Sequence, residues 1–387
     1  MHKIILGTRG SELAKTQSLA VARLLEAQGL DVELKIIQTK GDISTRSLVE
    51  LGGIGVFAAA LRTALLHKEC DIAVHSFKDL PTAAIPGLAI GAVPTGAAPS
   101  DVLCARDSLS LAELPKNSLI GTGSPRRAAQ IRAIRPDLQI VDIRGNIDTR
   151  LARIKASGVV DKASGIDTAS GTDTVDGINA DGGTGMAGGA DTAGRAKATS
   201  DTNAAGKGNA KLRGDLDGVI LAKAGLERLH RCAAITEELD IFPAPAQGRL
   251  AVECRSEDAP WNSESALAQA LAKINNNAAR AAAFAERAVL AGLNAGCAAP
   301  VGVKIVDSQL ADSQLVAGVF SLDGKERCCA AEKFSSREYA AFSPCEIPQI
   351  DAQAAALGQR VAAQLLAQGA GEIANLQAVK ARGSGSD

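Results

Sequence analysis

Aromatic residues are scarce in this chain: one Trp, one Tyr and seven Phe among 387 residues. Single-stranded nucleic acids are gripped by stacking bases on aromatic rings, so that mode of binding is not expected. An excess of one charge is missing too. Lys and Arg total 42 against 43 Asp and Glu, a formal net charge of −1, without the basic surplus of a nucleic-acid binder. No apolar run approaches the roughly 18–20 residues that span a bilayer, so no membrane partner is expected. Met1-His2-Lys3-Ile4 runs straight into a strand-like segment with no signal-peptide core, which makes the cytoplasm the expected compartment. The eight cysteines form no CxxC pair and the four histidines are scattered. No zinc-type spacing exists, and no metal is expected. In a reducing compartment the thiols should be unpaired and mostly buried.

Apolar residues make up 46% of the chain, enough for sizeable cores, and its length points to two or three domains at about 100–200 residues each. Glycine is plentiful but uneven: 13 of 39 fall between positions 155 and 214. There a six-residue pattern runs SGIDTA (164–169), SGTDTV (170–175), DGINAD (176–181), GGTGMA (182–187) and GGADTA (188–193). A β-solenoid or an Asp/Gly calcium repeat can show such a period. Five units with so few large apolar side chains cannot bury a core or offset the entropy of ordering. The expectation is a disordered repeat insertion at about 156–213, with a frayed C-terminal tail.

Elsewhere the pattern alternates between strand and helix. Strands are predicted at 4–6, 32–37, 71–74, 101–105, 119–121, 138–142 and 218–221. Helices are predicted at 11–28, 55–67, 109–114, 125–134, 147–155 and 222–229. In the first helix Leu13, Gln17, Val21 and Leu24 share a face, and Gly29 stops it. This is the pattern of doubly wound α/β sheets, whose sites lie at the carboxyl ends of strands. Segment 242–255 reads as a return crossing between two such domains. From about 271 the pattern becomes a smaller α+β domain, with helices at 267–273, 277–291 and 351–368 and strands at 301–306, 315–321 and 327–334. The expected division is 1–99 with 243–266, then 100–242, then 271–380.

Chemistry concentrates in the strand-to-helix turns. Gly7-Thr8-Arg9-Gly10-Ser11, Gly121-Thr122-Gly123-Ser124-Pro125-Arg126-Arg127 and Asp142-Ile143-Arg144-Gly145-Asn146, with Arg150 beyond, each set an N-cap residue beside arginine. Arginine in a first helical turn opposes the macrodipole, so Arg126 and Arg127 call for an anion. One such turn is ordinarily a solvated basic turn, but three at one sheet edge point to a ligand with several carboxylates or phosphates. GxxxxGK[ST] does not occur and no GxGxxG lies at a predicted strand-to-helix turn, which disfavours nucleotides. DIAVHSFKDLP (71–81) ends a buried strand directly in Lys78 and Asp79. Such a pair is usually a surface turn; at the edge carrying the arginines, Asp79 becomes a candidate acid–base that stays ionised and can stabilise a cation. Cys297 sits among small residues in LNAGCAAPVG (293–302), either a packed thiol or an accessible, modifiable one.

Together GTRGSELAKTQ (7–17), QTKGD (38–42), GGIGVFAAAL (52–61), DIAVHSFKDLPT (71–82), GTGSPRRAAQ (121–130), RPDLQIVDIRGNIDTRL (135–151), DGVILAKAGLERL (217–229), PAPAQGRLAVECR (243–255) and LNAGCAAPVG (293–302) resemble the porphobilinogen deaminase, or hydroxymethylbilane synthase, family. The resemblance implies two periplasmic-binding-protein-like domains and a third, α+β domain. It implies a cytoplasmic, monomeric transferase of tetrapyrrole and haem biosynthesis. Four porphobilinogen molecules would be joined head to tail into linear hydroxymethylbilane, with loss of ammonia. The chain would grow on a dipyrromethane cofactor held by a thioether to Cys297.

By the same resemblance Asp79 is the catalytic aspartate, accepting pyrrole N–H groups and stabilising the azafulvene cation. Lys78, Ser124, Arg126 and Arg127 hold cofactor carboxylates. Arg9, Ser11, Arg144, Arg150 and Arg228 bind the substrate or the growing chain; Gln17 is a polar active-site residue, and Phe57 a loop residue near the cofactor. Glu50, Ile54 and Ala59 replace lysines of a mobile loop. Gly123, Pro125, Ala246, Arg249, Ala295 and Ala298 also depart from common family residues, yet no cation, aspartate or cysteine of the pattern is lost. Two other readings need fewer of these residues. A non-catalytic two-lobed polycarboxylate-binding protein would use the arginine turns without Asp79 or Cys297. A thiol-dependent transferase would act on another polycarboxylate.

Overall fold

A computed structural model describes residues 3–38, 56–156, 214–296, 299–306, 313–374 and 376. The repeat insertion, Glu50, Ile54 and Cys297 lie outside the described residues.

The chain opens with strand β1 (Ile4–Thr8) and helix Glu12–Glu26. Ser11 caps that helix by accepting the Ala14 N–H, Glu12 and Arg23 complement the macrodipole, and Gly29 leaves it at φ +86°. Its inward stripe is Gln17, Ser18, Val21, Ala22 and Leu25. Leu24, expected on that face, is 43% exposed, because the helix is rotated by one position toward Leu25. Strands β2 (Val32–Ile36), β3 (Ile72–Ser76) and β4 (Leu88–Ala92) follow, with helix Val56–Leu66 before β3.

After β4 the chain crosses to a second sheet. This sheet is built from β5 (Asp101–Ala105), β6 (Leu119–Gly121), β7 (Gln139–Val141), β8 (Gly218–Ala222) and β9 (Glu237–Leu239). It then returns to the first sheet as β10 (Leu250–Arg255). The two sheets run β2-β1-β3-β10-β4 and β7-β6-β8-β5-β9. They share one plan: three parallel strands, then the antiparallel strand that arrives from a crossing, then an edge strand. Helices Pro125–Ile134, Ile147–Leu151 and Lys223–Arg228 belong to the second sheet. Apolar strand residues such as Leu6, Ile72 and Val252 fill one core, and Leu103, Ile120 and Ile220 another.

The remaining sheet is antiparallel, β11 (Val301–Val306), β12 (Gln314–Phe320) and β13 (Arg327–Lys333). Helices Asn277–Gly292 and Ile347–Ala367 cover it. These two helices approach closely through small residues; a Cβ on Gly358 would lie 2.1 Å from the Ala285 carbonyl oxygen.

Two expectations fail for local reasons. Residues 109–114 form a turn, since Glu113 accepts from both the N–H and hydroxyl of Ser110 and Pro115 follows at once. The helix predicted at 147–155 stops at Leu151 because Ile154 pairs with Leu216. Strands β4 and β9 were not anticipated at all. Of the seven described cysteines, Cys70, Cys104, Cys254 and Cys328 are buried, but Cys232, Cys329 and Cys345 are exposed. No described helix is long and apolar enough to cross a membrane.

Candidate active site

Parallel strands β1, β3, β6 and β7 end in the motif-bearing turns, while antiparallel β5 and β10 begin at the same edges. Asp101 pairs with Ala222, the last residue of β8, and Leu250 pairs with Ser76, the last of β3. The first residues of the crossing strands therefore enter the site beside the motif turns.

After β3 the chain makes one 3₁₀ turn, Phe77–Asp79. Phe77 points inward and is buried, Lys78 is half-buried and Asp79 is exposed. Lys78 Nζ donates to Gln247 Oε1 at 3.1 Å. Gln247, itself buried, donates to Asp101 Oδ1 at 2.8 Å and to the Pro99 carbonyl. Asp101 is the hub of this network. Its carboxylate accepts Arg126 Nη1 at 2.7 Å and Arg127 Nε and Nη2 at 2.9 and 2.6 Å. The two arginines also donate to the Phe242 and Ile220 carbonyls. They hold the Asp101 carboxyl far below its usual range despite its burial. Burial pushes Lys78 down to about 8, Arg126 and Arg127 push the same way, and Asp79 and Asp101 oppose them.

The anion demanded by two arginines in a first helical turn is thus part of the protein. Sequence reasoning missed Asp101 and Gln247. Asp101 stood in the sequence only as a strand's first residue, and its partners lie 25 and 26 positions away. Three cations, Lys78, Arg126 and Arg127, meet one buried carboxylate, so positive charge is left over at the edge.

Ser124 caps helix Pro125–Ile134 by accepting the Arg127 N–H, and Asn146 caps Ile147–Leu151 by accepting the N–H of Thr149. Arg150 Nε donates to the Gly145 carbonyl at 2.9 Å, and Arg144 pairs with Asp142 at 3.2 Å. Burial pushes Arg150 down to about 10, with Arg127 and Arg144 adding repulsion and Asp142 and Asp79 opposing. Those influences bring the second and third turns and Asp79 into one electrostatic neighbourhood. Gln17 Nε2 lies 2.9 Å from Ser76 Oγ, which sets that helix beside the Asp79 turn. Ser11 is used as a cap, and Arg9 is half-buried at the end of β1.

Arg228 is placed differently. Its Nη2 donates to the Gly248 carbonyl at 2.6 Å, and it lines a cavity of about 230 Å³ with Ala20, Leu24, Thr95 and Gly96. Phe57 falls in the first turn of helix Val56–Leu66, and its side chain, like Cys297, lies outside the described residues. Ala59, in the same helix, is exposed. Among the described residues no group of three or more His, Cys, Asp or Glu could hold a metal ion.

Two α/β sheets of one topology, joined by two crossings and meeting at a cation-rich edge that also carries the exposed carboxylates of Asp79 and Asp142, define a two-lobed protein whose edge suits a small polyanionic ligand. Family models sharpen that class. "Porphobilinogen deaminase, dipyromethane cofactor binding domain" matches residues 4–172 and 207–263, and "Porphobilinogen deaminase, C-terminal domain" matches 281–367. The chain belongs to the porphobilinogen deaminase family. It is 46% identical to the porphobilinogen deaminase of Cutibacterium acnes over 385 residues, covering 98% of each chain. It is 43% identical to that of Leifsonia xyli subsp. xyli over 380 residues, 97% of this chain and 95% of that one. A periplasmic substrate-binding protein of an ABC transporter from Coxiella burnetii overlays 73% of this chain and 96% of its own, at 11% identity and a TM-score of 0.35.

Proposed function

We propose that the cation-rich edge is where this chain performs its family's reaction, with Asp79 handling the reacting pyrrole. The chain is a transferase of porphyrin biosynthesis that makes hydroxymethylbilane from porphobilinogen with release of ammonia, and its cofactor is dipyrromethane. The family comparisons do not favour a non-catalytic binding protein.

The residues fit that cofactor. Dipyrromethane carries acetate and propionate carboxylates, and Lys78, Arg126 and Arg127 supply more positive charge than Asp101 neutralises. These three, with Ser124, would hold the cofactor, and Cys297 would bear the thioether. The bound group supplies the covalent anchor on which the chain is extended. Arg9, Ser11, Gln17, Arg144 and Arg150 would hold carboxylates and polar edges of the substrate and the growing chain, with Phe57 at the cofactor's side. Arg228 would serve from the crossing, through Gly248.

Asp79 carries the proposal. Its exposed carboxylate stands within electrostatic reach of two half-buried cations, Lys78 and Arg150. It can accept a pyrrole N–H, stabilise the substrate-derived cation left when ammonia departs, and take up the proton released on coupling. Asp79→Asn keeps the shape but removes both charge and basicity. Turnover should fall roughly 10²–10⁴-fold with the fold intact by circular dichroism; near-normal turnover would remove Asp79 from this role. We infer further that the chain works as a cytoplasmic monomer in three domains, 1–99 with 243–266, 100–242 and 271–380. The two shared sheet plans and the separate antiparallel sheet support that division.

A further inference from the structure

Asp79 makes no side-chain hydrogen bond among the described residues, so the direction of its carboxylate is set by the backbone of the turn that carries it. That turn is gripped from both ends. At its entrance the Phe77 N–H donates to the Arg249 carbonyl at 3.0 Å. At its exit three carbonyls, of Phe77, Leu80 and Pro81, face one side chain, Arg287 of helix Asn277–Gly292. Arg287 Nη1 donates to Phe77 O at 2.8 Å and to Leu80 O at 2.7 Å, and Nη2 donates to Pro81 O at 2.7 Å. Its guanidinium also lies over the Phe77 ring, 4.5 Å from the centroid.

Three backbone acceptors converging on one guanidinium fix both the end of the turn and the ring beneath it. Only a planar fork with several donors can serve all three at once. Among the described residues Arg287 forms no ion pair, so its charge is spent on the turn. Its neighbour Glu286 accepts the Ala246 N–H at 2.6 Å and Arg249 Nη1 at 3.0 Å, which locks the same helix turn onto the returning crossing. Burial pushes Arg287 down to about 10, helped by Arg62 and opposed by Glu253, so it stays cationic at neutral pH.

We propose that Arg287 is a positioning residue for the reaction, holding the Phe77–Pro81 backbone so that Asp79 is aimed at the reacting pyrrole. The inference rests on the reading of Asp79 given above. It is tested by steady-state kinetics of Arg287→Lys and Arg287→Gln, each alone and combined with Asp79→Asn. Arg280→Lys on the same helix serves as a control, because Arg280 pairs with Asp351 and not with the turn.

Arg287→Lys should lower kcat on the order of 10- to 100-fold with KM little changed. It should cause little further loss in the Asp79→Asn background, since the aim of an absent carboxylate no longer matters. Arg280→Lys should lower the unfolding temperature without this coupling. An unchanged kcat, or the same fold-loss in both backgrounds, would overturn the inference. So would failure of both Arg287 variants to fold, which would make the guanidinium a condition of folding. A near-normal Asp79→Asn would instead sink the reading of Asp79.

Discussion

A single buried carboxylate organises the charge of the cleft. Asp101 holds Arg126 and Arg127 against each other's repulsion and, through Gln247, ties in Lys78. Removing one member of such a buried cluster strands the others, at a cost of about 3–5 kcal/mol. Asp101→Asn should therefore lower the unfolding temperature and weaken activity together, as thermal melts and ammonia-release assays will read. The pH dependence has a definite sign. With its folded-state pKa depressed, native Asp101 binds a proton less readily than the unfolded chain does. Its contribution is fully present above about pH 4 and is lost as pH falls through lower values. Melts below pH 4 should show a shallower acid loss in Asp101→Asn than in the parent, and parallel acid limbs would contradict this. Arg126 and Arg127 were legible as cations needing an anion, because a helix N-terminus tolerates them poorly. Asp101 was not legible, because strand pairing, which brought it to them, is a tertiary fact.

Elements were legible where a turn or cap closes them locally. Ser124-Pro125 starts its helix as the sequence predicts, and Gly29 ends the first one. Boundaries slipped where another part of the chain intervened, as when Leu216 drew Ile154 out of a predicted helix. That same pairing bears on the repeat insertion. On its two flanks the Lys155 N–H donates to the Leu216 carbonyl at 2.8 Å, and the Leu216 N–H to the Arg153 carbonyl at 2.9 Å. Arg153 pairs with Asp215, and Lys155 with Asp217. The chain thus leaves and re-enters the second sheet at one hydrogen-bonded base. A variant with residues 158–212 replaced by a short linker should fold and turn over like the full chain. Each halving of the loop should favour folding by about 0.6 kcal/mol. Loss of the fold on deletion would show that the repeat is structural.

For the whole molecule, the alternation of strands and helices announced two wound sheets, and their shared order explains why every motif turn meets at one edge. The near-zero net charge was an average over a surface that concentrates cations there. What the sequence could not announce is how the Ala-rich helix docks. Glu286 and Arg287 look like ordinary charged positions on an exposed stripe, and only packing turns them onto the crossing and the Asp79 turn. We propose that this cleft works with a dipyrromethane anchored at Cys297. The most direct test is the intact mass of the purified active protein, followed by fragmentation of the Cys297 peptide. The expected result is an added mass of two linked pyrrole units on Cys297, absent from Cys297→Ser. An active protein whose Cys297 carries no modification would contradict it.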